Sequence, residues 1–153
     1  MKRAGFILLF GLLLGVISAQ EYTVESVPNP ITLNAHHYVS NPDGILSEST
    51  VNALNVKLDS LAQTNGAQVA VVVLNSIGYE DINNFAWSLF DKWRIGKEKE
   101  DNGLLVLFVL DQKKVRFENG YGLEGVIPDA IAKRIQTTAM IPEFRNGNYD
   151  AGM

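Results

Sequence analysis

Three oxygen-bearing side chains, those of Asp101, Asn102 and Glu124, are the residues of this sequence best placed to bind a cation. Asp101 and Asn102 stand just before the apolar run 104–110, and Glu124 follows the alternating run 115–118. These two runs are typical of an antiparallel hairpin, whose second strand returns to the start of the first. The three side chains are therefore predicted to lie at one end of the hairpin.

The polar residues 111–114 predict the register of this hairpin. Either Leu110 pairs with Val115 across a four-residue turn or Asp111 pairs with Lys114 across a two-residue turn, and both give the same register. Continued to the far end of the two strands, this register places Asp101 opposite Glu124.

Converging carboxylates repel one another, and a bound cation relieves the repulsion. Oxygen ligands in a chain without cysteine favour Ca²⁺ or Mg²⁺ over zinc. A second interpretation stays open, because Asp-Asn-Gly at 101–103 is also a common turn sequence and solvated acids need no ion.

The N-terminus is typical of a secretory signal peptide over residues 1–19. Lys2 and Arg3 precede an apolar run, and residues 18–19 are small enough for cleavage. The run is shorter than the roughly 20 residues that cross a bilayer, and a retained anchor is the alternative. We predict an exported protein, periplasmic or extracellular, or one held at a membrane by an uncleaved N-terminal segment.

The charge of the chain argues against a nucleic-acid partner. Removal of residues 1–19 changes the formal net charge from −4 to −6, whereas nucleic-acid affinity needs an excess of Lys and Arg. The largest basic cluster, 113–116, is predicted to be a solvated hairpin tip. Without cysteine, and hence without disulfides, the fold depends on a hydrophobic core.

Apolar spacing predicts alternating helices and strands. Residues 20–37 show no periodicity and are predicted to form an extended leader. The predicted elements are a helix between Ser47 and Gly66, a strand over 67–74, a helix between Asp81 and Gly96, a charged loop over 97–101, the hairpin strands, and a helix from Pro128 to about Pro142. This order predicts an α/β fold, a three-layer α/β/α sandwich with a mixed sheet containing one antiparallel hairpin.

Three further features, a glycine motif, a histidine pair and two tryptophans, are predicted to lie outside the cation site. Residues 120–125 match G-x-G-x-x-G, but a hairpin strand precedes them, whereas a dinucleotide site follows a parallel strand. His36 and His37 are predicted to be exposed in the leader. Trp93 fits the apolar side of its helix, and Trp87 marks a contact surface.

Six segments of the chain resemble the TPM domain family, in order and at the right spacing. They are 44–47, 66–69, 93–96, 101–105, 120–125 and 141–149. The family includes thylakoid-lumen proteins tied to photosystem II repair, a nematode accessory protein of acetylcholine receptors and many exported bacterial proteins. The resemblance implies an α/β/α sandwich, divalent-cation binding at an acidic cluster and, for some members, acid phosphatase activity.

By position, the resemblance assigns the cation site to Asp101, Asn102 and Glu124. Family members often carry an aspartate where this chain has Asn41, and Asp43 is the alternative ligand at that corner. The resemblance runs from about residue 38 to the end, so the chain is predicted to consist of the signal peptide (1–19), the leader (20–37) and a TPM-like domain (38–153). The chain stops where the family usually continues through a final helix, so we expect a truncated or a short member.

Two functions agree with these residues. The first is a cation-binding module that contacts a protein partner at a membrane surface and assists assembly or repair of membrane complexes. The second is a metal-dependent phosphatase, in which the ion activates water against a small phosphate ester. The sequence offers no separate general acid and no nucleophile near Asp101 or Glu124, so the binding module is favoured.

Overall fold

A four-stranded mixed sheet forms the centre of the fold in the computed structural model, which describes residues 19–96 and 100–153. The strands, in their order across the sheet, are β1 (Val39–Ser40), β2 (Gln68–Leu74), β3 (Gly103–Val109) and β4 (Lys114–Asn119). The first three run parallel, and β4 runs antiparallel to β3. The predicted mixed sheet with an antiparallel hairpin is confirmed.

Helices cover both faces of this sheet. They are α1 (Pro30–Leu33), α2 (Glu48–Asn65), α3 (Ile82–Trp93), α4 (Asp129–Ile135), α5 (Ile141–Arg145) and α6 (Tyr149–Gly152). The two long helices begin at the predicted caps, because the side chains of Ser47 and Asp81 accept hydrogen bonds from backbone N–H groups of the first turn.

Two apolar clusters, one on each face of the sheet, make up the core. Successive side chains of a strand point to opposite faces, so the apolar runs of β2 and β3 supply both clusters. Ala70, Val72 and Leu74 pack with α3, whereas the odd-numbered residues of β2 pack with α2 and the C-terminal helices. The predicted three-layer sandwich is confirmed.

The leader packs onto the face that α3 covers. Tyr22 and Val27 are buried in that cluster, and α1 forms a single helical turn within the otherwise irregular segment. Residues 1–18 of the predicted signal peptide lie outside the described residues, and so do residues 97–99 of the predicted charged loop. In the described ranges, no helix is long and apolar enough to cross a membrane.

The predicted register of the hairpin is wrong by two residues. Val109, and not Leu110, closes the ladder, and it pairs with Lys114. The reason is a tight turn in which Lys113 N donates to Leu110 O at 3.1 Å and Lys113 has a left-handed φ of 51°. A shift of two residues leaves each side chain on its predicted face.

The C-terminal helical segment continues past Pro142. Proline cannot donate to the carbonyl four residues earlier, and its ring clashes with that carbonyl, which predicts a helix end. Instead, the helix widens into a π-helical segment, Gln136–Met140, and continues as α5 to Arg145. The wider turn places Pro142 in the first turn of α5, where its missing N–H is tolerated.

Asp150 connects α6 to the start of α2. Its carboxylate accepts a hydrogen bond from Ser47 N at 2.8 Å, and this bond lowers the pKa of Asp150. A lowered folded-state pKa stabilises the fold above the unfolded-state value of roughly 3.9, and this contribution is lost as the pH falls through the folded-state value. We expect Asp150→Asn to weaken the acid dependence of the free energy of unfolding below about pH 4. Urea denaturation at several pH values measures it, and an unchanged pH profile would contradict the assignment.

Candidate functional site

The start of β3 and the glycine-rich loop after β4 are joined by backbone contacts. Gly120 N donates to Gly103 O at 2.9 Å, and Gly122 N donates to Asp101 O at 3.1 Å. The two segments approach so closely that a Cβ at Gly120 would overlap the carbonyl oxygen of Asp101. Asp101 has a φ of 51°, a conformation that aspartate adopts more readily than most residues with a Cβ. Backbone packing therefore places Asp101 beside the loop that carries Glu124.

Asp101 and Glu124 line one cleft of about 540 Å³, named the acidic cleft here. Two more carboxylates line it, those of Asp91 and Glu118, together with Trp87, Phe90, Asn119, Gly120 and Tyr121. Asp101 and Glu124 are exposed, and the rings of Trp87 and Tyr121 are 61% and 81% exposed. The structure thus brings together two of the four predicted site residues.

Asn102 lies beside Asp101 in sequence but contacts a different part of the molecule. Its side-chain Nδ2 donates to Gly66 O at 3.0 Å, and its backbone carbonyl oxygen accepts from Gln68 N at 3.1 Å. Asn102 lines a separate cavity with Gly66 and Tyr38. Its amide joins the end of α2 to the sheet.

Asp43 lies at the opposite end of the sheet from the acidic cleft. Its carboxylate accepts hydrogen bonds from Tyr22 Oη at 3.0 Å and from Asn75 N, just beyond β2, at 2.8 Å. Burial, the hydrogen bond to Asp43 and the charge of Asp43 together raise the pKa of Tyr22 to about 12. Asp101 precedes β3, whose length is about 20 Å, so Asp43 and Asp101 are too far apart to share an ion.

The side chains that line the acidic cleft suit a cation that keeps several water ligands better than a cation bound by protein ligands alone. No three His, Asp or Glu side chains of the described residues lie close enough together to hold a metal ion. Glu118 already accepts a hydrogen bond from Arg116 Nη2 at 3.0 Å, whereas Asp101 and Glu124 make no side-chain hydrogen bond within residues 19–96 and 100–153. A divalent ion that keeps several waters, as Mg²⁺ usually does, needs only one or two carboxylates.

The cleft also contains Asp91, Trp87 and Glu118, to which the sequence prediction assigned no cation-binding role. Asp91 and Trp87 are four residues apart on α3, which places both on one side of that helix. Glu118 belongs to β4 and reaches the cleft from the strand. The exposure of Trp87 was predicted from its position on the helix, but its proximity to Asp101 depends on how α3 packs across the sheet.

The family model of the TPM domain matches residues 39–153. The chain belongs to the TPM domain family. The predicted resemblance is thereby confirmed over three quarters of the sequence, including the strands, both long helices and the acidic cleft.

Solved structures resemble this TPM domain along most of its length. The N-terminal domain of a protein from P. gingivalis, determined by NMR, is 42% identical and has a TM-score of 0.79. The match covers 87% of this chain and 85% of the P. gingivalis chain. BA42 from the psychrophilic bacterium Bizionia argentinensis is 17% identical over 73% of this chain and 76% of its own, with a TM-score of 0.61. The N-terminal domain of a Corynebacterium glutamicum protein is 14% identical over 75% of this chain and 71% of its own, with a TM-score of 0.59. The last two show the fold alone, and no curated protein matches the chain.

Proposed function

We propose that this TPM domain is an exported binding module that uses the acidic cleft to contact a protein partner at a membrane surface, in the assembly or repair of membrane complexes. The observation that carries the proposal is that Asp101 and Glu124 share a cleft with the exposed ring of Trp87. Carboxylates beside an aromatic ring suit the Lys or Arg side chain of a partner, which pairs with the acids and stacks on the ring. Exposed Trp and Tyr are also enriched at protein interfaces.

Divalent-cation binding at the same two carboxylates is the second part of this proposal. Asp101 and Glu124 supply the negative charge, and water supplies the remaining ligands of Ca²⁺ or Mg²⁺. An ion at this position neutralises the charge that attracts a basic partner. Ion binding therefore weakens the contact with a Lys-rich or Arg-rich segment.

The test is a calorimetric titration of residues 20–153 with Ca²⁺ and with Mg²⁺. We expect Asp101→Asn and Glu124→Gln each to weaken binding about tenfold, which corresponds to about 1.4 kcal/mol. Asparagine is preferred to alanine at position 101 because it tolerates the left-handed backbone there.

Glu80→Gln is the matched control for this titration. Glu80 is an exposed acid that does not line the acidic cleft, so its loss removes the same charge at a distance. Binding that all three variants weaken equally would show a diffuse effect of net charge and contradict a site at Asp101 and Glu124. An absence of heat with the unmodified protein would leave the cleft as a surface for basic groups alone.

A metal-dependent phosphatase is the second candidate function, and a cation site alone is not enough to carry it. Hydrolysis also requires groups that stabilise the charge developing on the phosphoryl oxygens. Among the described residues that line the acidic cleft there is no Lys, Arg or His, and the nearby Arg116 is paired with Glu118. We expect phosphomonoester hydrolysis no faster than with the free metal ion in the same buffer. A faster rate that Glu124→Gln abolishes would support the enzyme instead.

A further inference from the structure

The outer edge of β4 is an open side of the sheet. β4 is the last strand in the order β1-β2-β3-β4, and among residues 19–96 and 100–153 it pairs only with β3. An edge strand presents a row of backbone N–H and C=O groups that can pair with another chain. The hydrogen bonds at the base of the hairpin identify the residues that supply this row.

Backbone groups of alternate residues in β4 point to the outer edge. Gly120 N donates to Gly103 O, so Gly120 faces β3, and every second residue before it does the same. The N–H and C=O groups of Val115, Phe117 and Asn119 therefore point away from β3. Within residues 19–96 and 100–153, no backbone hydrogen bond is made by these groups.

A groove of about 600 Å³ runs along this edge, named the edge groove here. One wall is the first turn of α3, at Ile82 and Asn83, and the other is the helical segment that begins with α4, at Asp129, Lys133 and Gln136. The sheet edge therefore lies between helices of both outer layers. Gln136 is 8% exposed and makes no side-chain hydrogen bond in the described ranges, which leaves its amide available to a ligand.

The edge groove is positively charged although the chain as a whole is acidic. It is lined by Lys113, Lys114 and Lys133, and by Arg116, which is paired with Glu118, against the carboxylate of Asp129. The Nε atom of Arg116 is buried and has no hydrogen-bond partner among the described residues. A buried donor without an acceptor is costly, so the guanidinium of Arg116 is incompletely satisfied by its contact with Glu118.

We propose that the edge groove binds an extended, acidic segment of a partner protein, which adds to the sheet as a strand beside β4. The free backbone groups supply affinity for any extended chain, and the cations select acidic side chains. Charge complementarity favours an acidic partner over a second copy of this chain, whose edge groove would carry the same excess of Lys and Arg. The site shares no residue with the cation ligands Asp101 and Glu124, so it stands or fails apart from the proposed function.

The probe is a fluorescent peptide of about eight residues in which Glu and Val alternate, since strands of this length are usual in sheets. Its matched control has Lys in place of Glu. We expect fluorescence anisotropy to show binding of the acidic peptide only. The double variant Lys114→Glu/Lys133→Glu should weaken that binding roughly tenfold, whereas Lys57→Glu, an exposed charge reversal on α2, should not.

Amide hydrogen exchange distinguishes strand addition from simple charge attraction. In the complex, exchange at Val115, Phe117 and Asn119 should slow about tenfold or more, because their N–H groups gain partners. The amides of Arg116 and Glu118 should change little, since they already belong to the ladder with β3.

Three results would overturn the proposal. The first is peptide binding that leaves the three outward amides unprotected. The second is equal weakening by Lys57→Glu, which would show that net charge alone attracts the peptide. The third is binding to vesicles containing phosphatidylserine without binding to the acidic peptide, which would assign the groove to a membrane surface.

Discussion

Replacing Gly120 by alanine is expected to lower the free energy of unfolding by about 3 kcal/mol and to abolish cation binding in the acidic cleft. The new Cβ would overlap the carbonyl oxygen of Asp101, a backbone atom that cannot rotate away. Gly120 has a φ of −75°, which alanine adopts freely, so the effect is steric and not a matter of backbone strain. To relieve the overlap, the loop must move away from β3, and Glu124 moves with it.

Gly125→Ala is the matched control in the same loop. Nothing lies within 4 Å of a Cβ at Gly125, so this substitution should change the free energy of unfolding by less than about 0.5 kcal/mol. Urea denaturation and the Ca²⁺ titration of both variants make the comparison. If Gly120→Ala proves as stable as Gly125→Ala and still binds the ion, close packing of the loop against Asp101 does not position the site.

The layers of the fold could be predicted because the local signals agree with the tertiary structure. β2 and β3 are continuous apolar runs, and such runs are buried on both faces. The long helices have side-chain caps at Ser47 and Asp81 that are visible in the sequence. By contrast, β1 has only two residues and carries no periodicity from which it could have been found.

The register of the hairpin could not be predicted, because its turn lacks the usual signal. A left-handed residue in a tight turn is usually glycine or asparagine, and here it is Lys113. The error was two residues, an even number, so Asp101 and Glu124 still reach the same end of the hairpin. The register places Gly122, and not Glu124, directly opposite Asp101.

Two of the residues assigned by resemblance lie in the acidic cleft and two do not, and their positions relative to the sheet explain the difference. Asn102 and Asp43 carry suitable oxygen atoms, but the former bonds to Gly66 and the latter lies at the far end of β2. Neither fact is visible in the sequence, because each depends on contacts between segments about 30 residues apart. The same is true of Asp91, which reaches the cleft only through the packing of α3.

Tyr22, in the leader, is the second residue whose substitution is expected to have a large effect on the free energy of unfolding. Its ring is 4% exposed and packs in the cluster under α3, and its hydroxyl donates to Asp43. Tyr22→Ala is expected to lower the free energy of unfolding by about 3 kcal/mol, because truncation of a buried aromatic ring leaves a cavity. Tyr22→Phe keeps the ring and should cost about 1 kcal/mol, the contribution of one hydrogen bond. Tyr79→Ala, at a fully exposed ring, is the control for loss of an aromatic side chain.

Alkaline denaturation separates the ring of Tyr22 from its hydroxyl. Burial and the contact with Asp43 raise the pKa of Tyr22 from 10.0 to about 12. A raised folded-state pKa means that the neutral hydroxyl stabilises the fold fully below pH 10, and that this contribution is lost as the pH rises to about 12. Tyr22→Phe should therefore be less stable than the unmodified protein at pH 8 but should lose less stability between pH 10 and 12. Parallel pH profiles of the two proteins would mean that the Tyr22 hydroxyl is neither buried nor bonded to Asp43 in solution, and would contradict this packing of the leader.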